Sequence, residues 1–241
     1  AEPSSAPSAP SATPGPALVT DEPTTTTSTA IATPVPTPTA VGIDLAAYST
    51  TDPSSLWVIV NKQHPIDPVT YESPDLVLVS GARVRAVVAP DLEAMLAAAA
   101  ADGVPLGVRT GYRSFGFQQG VYADVVRRDG QAYADRHSAR AGYSEHQTGL
   151  ALDVHSGSRP SCDLKSCFPD TPEAVWVAAH AAEYGFVVRY TPQNATVTGY
   201  SPEGWHLRYV GHALATWMSA QGVGSLEEAL GVTGGAAYAG G

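Results

Sequence analysis

Basic side chains and sulfur are what this 241-residue chain has least of: 13 Lys and Arg stand against 23 Asp and Glu, with two cysteines and two methionines. A net charge of −10 comes with no concentrated basic face of the kind that neutralises phosphates, which argues against a nucleic-acid partner. No apolar run approaches the roughly 18 residues needed to cross a bilayer, so a transmembrane segment is excluded. With two thiols and no His at zinc-finger spacing, a cysteine-based zinc site is not expected either.

Aromatic residues are missing before Tyr48, and 32 of the first 40 residues are Pro, Ser, Thr or Ala, including nine of the twenty prolines. Such a stretch cannot bury enough apolar surface to offset the entropy of ordering it. Residues 1–40 therefore read as a disordered, semi-extended spacer with polyproline II character. The remainder, about 200 residues, suits one domain, expected over 41–232 and followed by a flexible tail over 233–241. Glu2, Asp21 and Glu22 belong to the spacer, leaving 20 acidic against 13 basic residues on the rest.

The chain starts at Ala1 without a basic and apolar leader, as expected where a secretory signal has been removed. Cys162 and Cys167 lie in a polar Gly/Ser/Pro/Asp segment, where a disulfide would close a small surface loop worth roughly 2 kcal/mol. That pairing favours an extracytoplasmic location, secreted or wall-associated.

From residue 41 onward the pattern is mixed. Residues 56–60 (LWVIV) form a short strand or buried segment, and 76–79 a second β-prone run. Pro90-Asp91 opens an Ala-rich helix that stops at Asp102-Gly103. Residues 106–110 read as a strand broken by Gly111, and Ser114 as the N-cap of a helix running to about Arg128. Strands are predicted over 149–154, 186–190 and 205–210. Further helices are predicted from Pro172 to Gly185, over 211–220, and behind a capping box at Ser225-Leu-Glu-Glu228. Without a βαβ rhythm or GxGxxG, this order predicts an α+β fold: one domain with a small antiparallel sheet flanked by helices.

Residues 143–155 (YSEHQTGLALDVH) carry the chemistry. In the strand expected there, Gly149, Ala151 and Asp153 share one face and Leu150, Leu152 and Val154 the other. An aspartate on the small-residue face is costly to bury unpaired, so a metal or strong donor is its natural partner. His146 can converge on Asp153 if the chain turns near Gly149. A third ligand is available from Glu203-Gly-Trp-His206, where Glu203 is spaced to reach a metal-bound water without itself ligating. Two His and one carboxylate leave a fourth zinc position open, as in catalytic sites. His155, two positions beyond Asp153, is a rival ligand that spacing does not dismiss. His64, His137, His180 and His212 read as ordinary.

The string Ser144-x-His146-x-x-Gly149-x-Ala151-x-Asp153, followed by Glu203-x-Trp-His206, resembles the zinc-dependent D-alanyl-D-alanine carboxypeptidases of the VanY type, with a hedgehog/DD-peptidase-like fold. Gly111-Tyr112-Arg113-Ser114 with Gln118 matches that family's upstream element. The resemblance implies Zn²⁺ bound by His146, Asp153 and His206, and Glu203 as the general base. It further implies Arg113 on the oxyanion or a substrate carboxylate, with Ser144 and Gln118 touching substrate. Family members often carry Pro-Gly ahead of the Ser-x-His element and Pro before the Trp; Ala141-Gly142 and Gly204 stand there, changes expected to loosen the backbone.

The expected activity is removal of the terminal D-Ala from peptidoglycan stem peptides by a monomeric enzyme. L,D-carboxypeptidase, D-Ala-D-Ala dipeptidase and cross-link endopeptidase activities would use the same site. A non-catalytic zinc-containing wall-binding module would need neither Glu203 nor Arg113.

Overall fold

The computed structural model describes residues 42–240; the spacer expected over 1–40 lies outside the described residues. Strand β1 (Leu76–Val79) turns tightly into β2 (Ala82–Arg85), a hairpin that leads into helix α1 (Ala89–Ala101). A four-stranded antiparallel sheet follows in the order β3 (Leu106–Thr110), β4 (Ala151–Ser156), β6 (Glu203–Tyr209), β5 (Phe186–Tyr190). Helices α2 (Phe115–Asp129) and α3 (Gln131–His137) connect β3 to β4, and α4 (Pro172–His180) precedes β5. The short helix α5 (Ala195–Thr198), then α6 (His212–Gln221) and α7 (Leu226–Leu230) complete the chain. This is the α+β architecture that the element order predicted. Among the described residues, no helix is long and apolar enough to cross a membrane.

Local chemistry explains most of the boundaries. Ser114 Oγ accepts from Phe117 N at 3.3 Å, and Thr171 Oγ1 accepts from Ala174 N at 3.1 Å, each satisfying one of the free amides at a helix start. Gly149 adopts φ +70° and closes a 3-10 turn over Glu145–Thr148, so β4 begins at Ala151 and not at Gly149. A Cβ at Gly149 would lie 2.9 Å from both Arg85 Cγ and Leu76 Cδ2. The β1–β2 hairpin presses on that turn.

Burial separates the two faces of the sheet. Leu150, Leu152, Val154, Phe186 and Leu207 are fully buried in one apolar cluster with Leu92 and Met95 of α1 and Val177 of α4. Trp57, Ile59, Leu214, Met218 and Leu226 form a second cluster against α6 and α7. Ala151, Asp153, His206 and Arg208 occupy the opposite face, paired across β4 and β6 as Ala151 with Arg208 and Asp153 with His206.

That opposite face carries a buried ion network. Arg189 donates through Nε to Glu145 Oε1 at 2.9 Å and grips Glu227 with both terminal nitrogens at 2.8 and 2.7 Å. Arg208 donates to the same Glu145 oxygen at 2.9 Å and, through Nη2, to the carbonyls of Leu56 and Val58. Residues 56–60 are thus a buried segment without strand pairing, because an arginine side chain satisfies carbonyls that a neighbouring strand otherwise would.

One expectation is overturned. Residues 233–240 are not a free tail: Ala239 N donates to the Lys62 carbonyl, Asn61 Nδ2 to the Thr233 carbonyl, and Tyr238 is 8 % exposed beneath Arg140 and against Tyr143. Aromatic burial outweighs the chain-end entropy that a Gly/Ala-rich composition suggested. Helix α3 and strand β2 are elements the sequence pattern did not signal. The backbone at the two unusual positions is also held: Gly142 O accepts from Ile66 N at 2.8 Å, and Gly204 lies against Pro169.

Because the network is closed to water, removing one cation leaves a buried carboxylate half-compensated. Arg208→Met should destabilise the fold by about 3–5 kcal/mol, lowering Tm on the order of 10 °C in a thermal melt followed by circular dichroism. A change within 2 °C or so would show that the network contributes little.

Candidate metal centre

Two irregularities in the sheet bring the candidate residues together. Between Val108 and Thr110 the β3–β4 register slips, so that two steps along β3 oppose one along β4. The bulge turns Thr110 toward the site, where its hydroxyl donates to Asp153 Oδ2 at 2.7 Å. On the other side the β5–β6 pairing shifts between Val188 and Tyr190, so Glu203 sits opposite Tyr190 and reaches the same pocket as His206. In a regular strand, residues three apart would point to opposite faces.

His146, Asp153 and His206 converge, with one ligand atom from each lying within 4.8 Å of the others. His146 Nδ1 sits 2.7 Å from the Gly111 carbonyl; since a carbonyl only accepts, Nδ1 carries the proton and Nε2 is left as a bare acceptor. That Nε2 has no hydrogen-bond partner and lies 3.4 Å from Asp153 Oδ2. His206 points Nδ1 at Asp153 Oδ1, 3.1 Å away, and Nε2 at Glu145 Oε2, 3.5 Å away. Two imidazoles and one carboxylate, each oriented by a second partner and all buried, are a donor set suited to zinc. The unpartnered His146 Nε2 supports that fit. His155, the rival candidate, falls outside the cluster and lies over Gly107, where a Cβ would collide with its ring.

Charge in the site is divided among its members. Burial, aided by the Arg113 guanidinium, pushes His146 down to about 4, so its imidazole is neutral near pH 7. His206 is also penalised by burial, but its hydrogen bond to Asp153 and the Glu145 carboxylate facing its other nitrogen prevail and raise it to about 9. Asp153 and Glu145 resist the upward push of burial. The charged His206 imidazole, hydrogen-bonded to it, holds Asp153 well below the usual carboxylate range, and Arg189 and Arg208 do the same for Glu145. Glu203 is raised to about 7, chiefly by burial, against the opposing charge of His206. It lies 3.7 Å from His206 Nδ1 and keeps 22 % of its side chain exposed. A carboxyl in that range can exchange protons near neutral pH.

Every other residue singled out from the sequence lines the same pocket of about 210 Å³: Arg113, Gln118 and Ser144 stand with Glu203 around the three converging residues. Arg113 Nε is buried without a partner, and its backbone N–H donates to the His146 carbonyl at 3.1 Å. Gln118 donates to the Ala139 carbonyl at 2.7 Å and leaves Oε1 unpartnered. Sequence reasoning missed Thr110, Glu145 and Tyr190. It also set His137 aside, which lines the pocket wall. Glu145 stood inside the Ser-x-His string as an unmarked position; nothing local signals it, since its partners lie 44 and 63 residues downstream.

Comparison with known proteins points to one family. A family profile described as VanY, D-alanyl-D-alanine carboxypeptidase, covers residues 81–212. The putative carboxypeptidase YodJ of Bacillus subtilis (strain 168) is 36 % identical over 174 residues, 68 % of this chain; the match spans 63 % of YodJ. Among solved structures, the LdcB LD-carboxypeptidase superposes with a TM-score of 0.68 at 34 % identity, covering 75 % of this chain and 88 % of that one. A variant of the D,D-pentapeptidase VanY from a VanB-type vancomycin resistance cassette, in complex with Zn(II), superposes with a TM-score of 0.63 at 33 % identity, covering 74 % and 99 %. The aligned region contains the two strands and the 3-10 turn from which the three converging residues project, and the chain belongs to the VanY family of D-alanyl-D-alanine carboxypeptidases.

Proposed function

We propose that this chain is a zinc metallopeptidase that removes the terminal D-Ala from peptidoglycan stem peptides. The observation that carries this reading is the convergence of His146, Asp153 and His206 in one pocket with Glu203 and Arg113. His146, Asp153 and His206 would hold Zn²⁺, which supplies a Lewis acid that acidifies water and polarises the scissile carbonyl.

The chain's own groups then divide the work. Glu203 takes the proton from the attacking water and returns it to the departing amine, a role suited to a carboxyl raised to about 7. Arg113, with its Nε unpaired, offers two-pronged hydrogen bonding to the substrate carboxylate or to charge developing on the carbonyl oxygen. Ser144 and Gln118 orient the peptide, Gln118 through the acceptor oxygen it leaves free. Thr110 and Glu145 act one layer out, aiming Asp153 and His206.

The residues from 41 to 232 form the catalytic domain in this reading, with residues 233–240 packed onto it. The Pro/Thr-rich stretch before it acts as a spacer that lets the domain reach peptides in an extracytoplasmic, wall-associated setting, and the enzyme works as a monomer. L,D-specific cleavage is the second reading, favoured by the likeness to LdcB.

Zinc-loaded protein incubated with a stem pentapeptide should release D-Ala and stop doing so on chelation. Glu203→Gln should lower kcat by about 10²–10⁴ while zinc remains bound. Retained activity in that variant, or release unaffected by chelator, would sink the proposal.

Zinc loading has its own pH signature. His206, raised to about 9 by the carboxylates around it, must lose a proton before Nδ1 can ligate, so affinity falls as pH falls below that value. Zinc titrated by calorimetry near neutral pH, in buffers of different ionisation enthalpy, is expected to displace about one proton. Binding without proton release would contradict the assignment of His206 as a ligand.

A further inference from the structure

One wall of the pocket is built around a short turn that lacks stiffness of its own. Tyr143 N donates to the Arg140 carbonyl at 3.0 Å, closing a four-residue turn over residues 140–143. Gly142 has φ +85° while Ala141 keeps a negative φ, so the turn is of type II. Its second position is the one that favours proline, whose ring fixes φ before folding begins. Alanine stands there and leaves that restraint out. On either side of the turn, Ser138, Ala139 and Ser144 line the pocket. Two hydrogen bonds anchor the segment from within the domain: Ile66 N donates to the Gly142 carbonyl at 2.8 Å, and Gln118 Nε2 to the Ala139 carbonyl at 2.7 Å.

A further restraint comes from almost a hundred residues downstream. Tyr238 is buried, with the Arg140 guanidinium 4.1 Å over its ring and the Tyr143 ring edge-on to it at 4.9 Å. Its hydroxyl accepts from Arg140 N at 3.2 Å. One side chain therefore grips both ends of the turn. Asp135 holds the same guanidinium through two hydrogen bonds of 3.0 Å, which keeps the cation over the ring. Tyr238 is itself fixed from the other side. Ala239 N donates to the Lys62 carbonyl at 2.7 Å, and Lys62 Nζ lies 5.5 Å from the Tyr238 ring and 4.5 Å from that of Tyr200, which lines the pocket. Lys62 and Tyr238 both stand outside residues 81–212, the span of the family profile, so membership in the family does not assign this clamp.

We propose that Tyr238 is a positioning residue: it clamps the turn at residues 140–143 and so keeps the pocket wall over residues 138–144 in the shape that receives the peptide. This rests on the proposed function and deepens it. The clamp acts on substrate binding and not on the metal centre, because the turn that carries His146 is anchored separately. Arg113 N donates to the His146 carbonyl at 3.1 Å, His146 Nδ1 donates to the Gly111 carbonyl at 2.7 Å, and Glu145 is held by Arg189 and Arg208. A wall that is not formed in advance must be ordered each time a peptide binds, and that cost appears as weaker binding.

The test uses zinc-loaded protein and the stem pentapeptide. Tyr238→Ala should raise KM roughly five- to tenfold while kcat and the calorimetric Kd for zinc stay within about twofold. Amide hydrogen exchange over residues 138–144 should quicken in the same variant. Ala141→Pro restores a restraint inside the turn itself, and in the Tyr238→Ala background it should recover most of the lost KM. Tyr238→Phe keeps the ring and drops the acceptor for Arg140 N; it should raise KM about two- to threefold and decides the matter if Tyr238→Ala does not fold. An unchanged KM, a loss of kcat or zinc affinity as large as the rise in KM, or no recovery with Ala141→Pro would overturn the inference. Failure of the unsubstituted protein to release D-Ala would instead sink the proposed function; the calorimetric Kd of the uncleaved pentapeptide, with and without each substitution, would then decide the role of Tyr238.

Discussion

A single carboxylate, Glu145, ties the core of this protein to its candidate site. One of its oxygens receives both Arg189 and Arg208, and the other faces His206 Nε2. Taking such a group out of water is costly, and chiefly the paired guanidinium groups, with His206 beside them, keep it ionised. Its charge and position constrain what surrounds it. Arg189 extends the network to Glu227 and through it to Asn61, tying the C-terminal helix α7 to the N-terminal segment. Arg208 draws the carbonyls of Leu56 and Val58 onto the sheet. The same carboxylate that closes the fold therefore also orients one of the imidazoles.

Strand geometry does the remaining positioning. A regular antiparallel sheet would place Asp153 and His206 side by side, as cross-strand partners do, but would leave Thr110 and Glu203 turned away. The two register shifts correct this from opposite edges: one brings a hydroxyl donor to Asp153, the other a carboxyl to the open side of His206. The apolar face of the same strands is fully buried against α1 and α4, which prevents the sheet from relaxing those distortions. Precision in the site is thus borrowed from packing on the reverse side, where a one-residue slip would expose Leu150, Leu152 and Val154 together.

Legibility in the sequence followed the range of the interactions. Helix α2, with Ser114 before it and Gly130 after, and helix α6, closed by Gly222, could be read because their end signals lie within a few residues. Segment 56–60 could not be classified, because its backbone partner is a side chain 150 or so residues away. The closing residues looked like a tail because Gly and Ala dominate them; what holds Tyr238 is a cluster with Lys62, Arg140 and Tyr143 that no local window contains.

The same division holds for the chemistry. By itself the sequence determined the residue types: two histidines, an aspartate and a glutamate in strings whose order is specific, and an alternation that puts small residues and Asp153 on one strand face. It could not choose between His155 and the other candidates, since spacing along a strand leaves both on one side. Tertiary structure decided that choice by laying His155 over Gly107 and turning His146 back through Gly149. It also supplied Thr110, whose significance exists only where β3 lies against β4, and Glu145, whose significance exists only where β5 and β6 bring their side chains to it. Ligand identity is a property of side-chain chemistry and is written locally. Ligand geometry and proton affinity depend on burial and on distant charges, which arise only when the chain has folded.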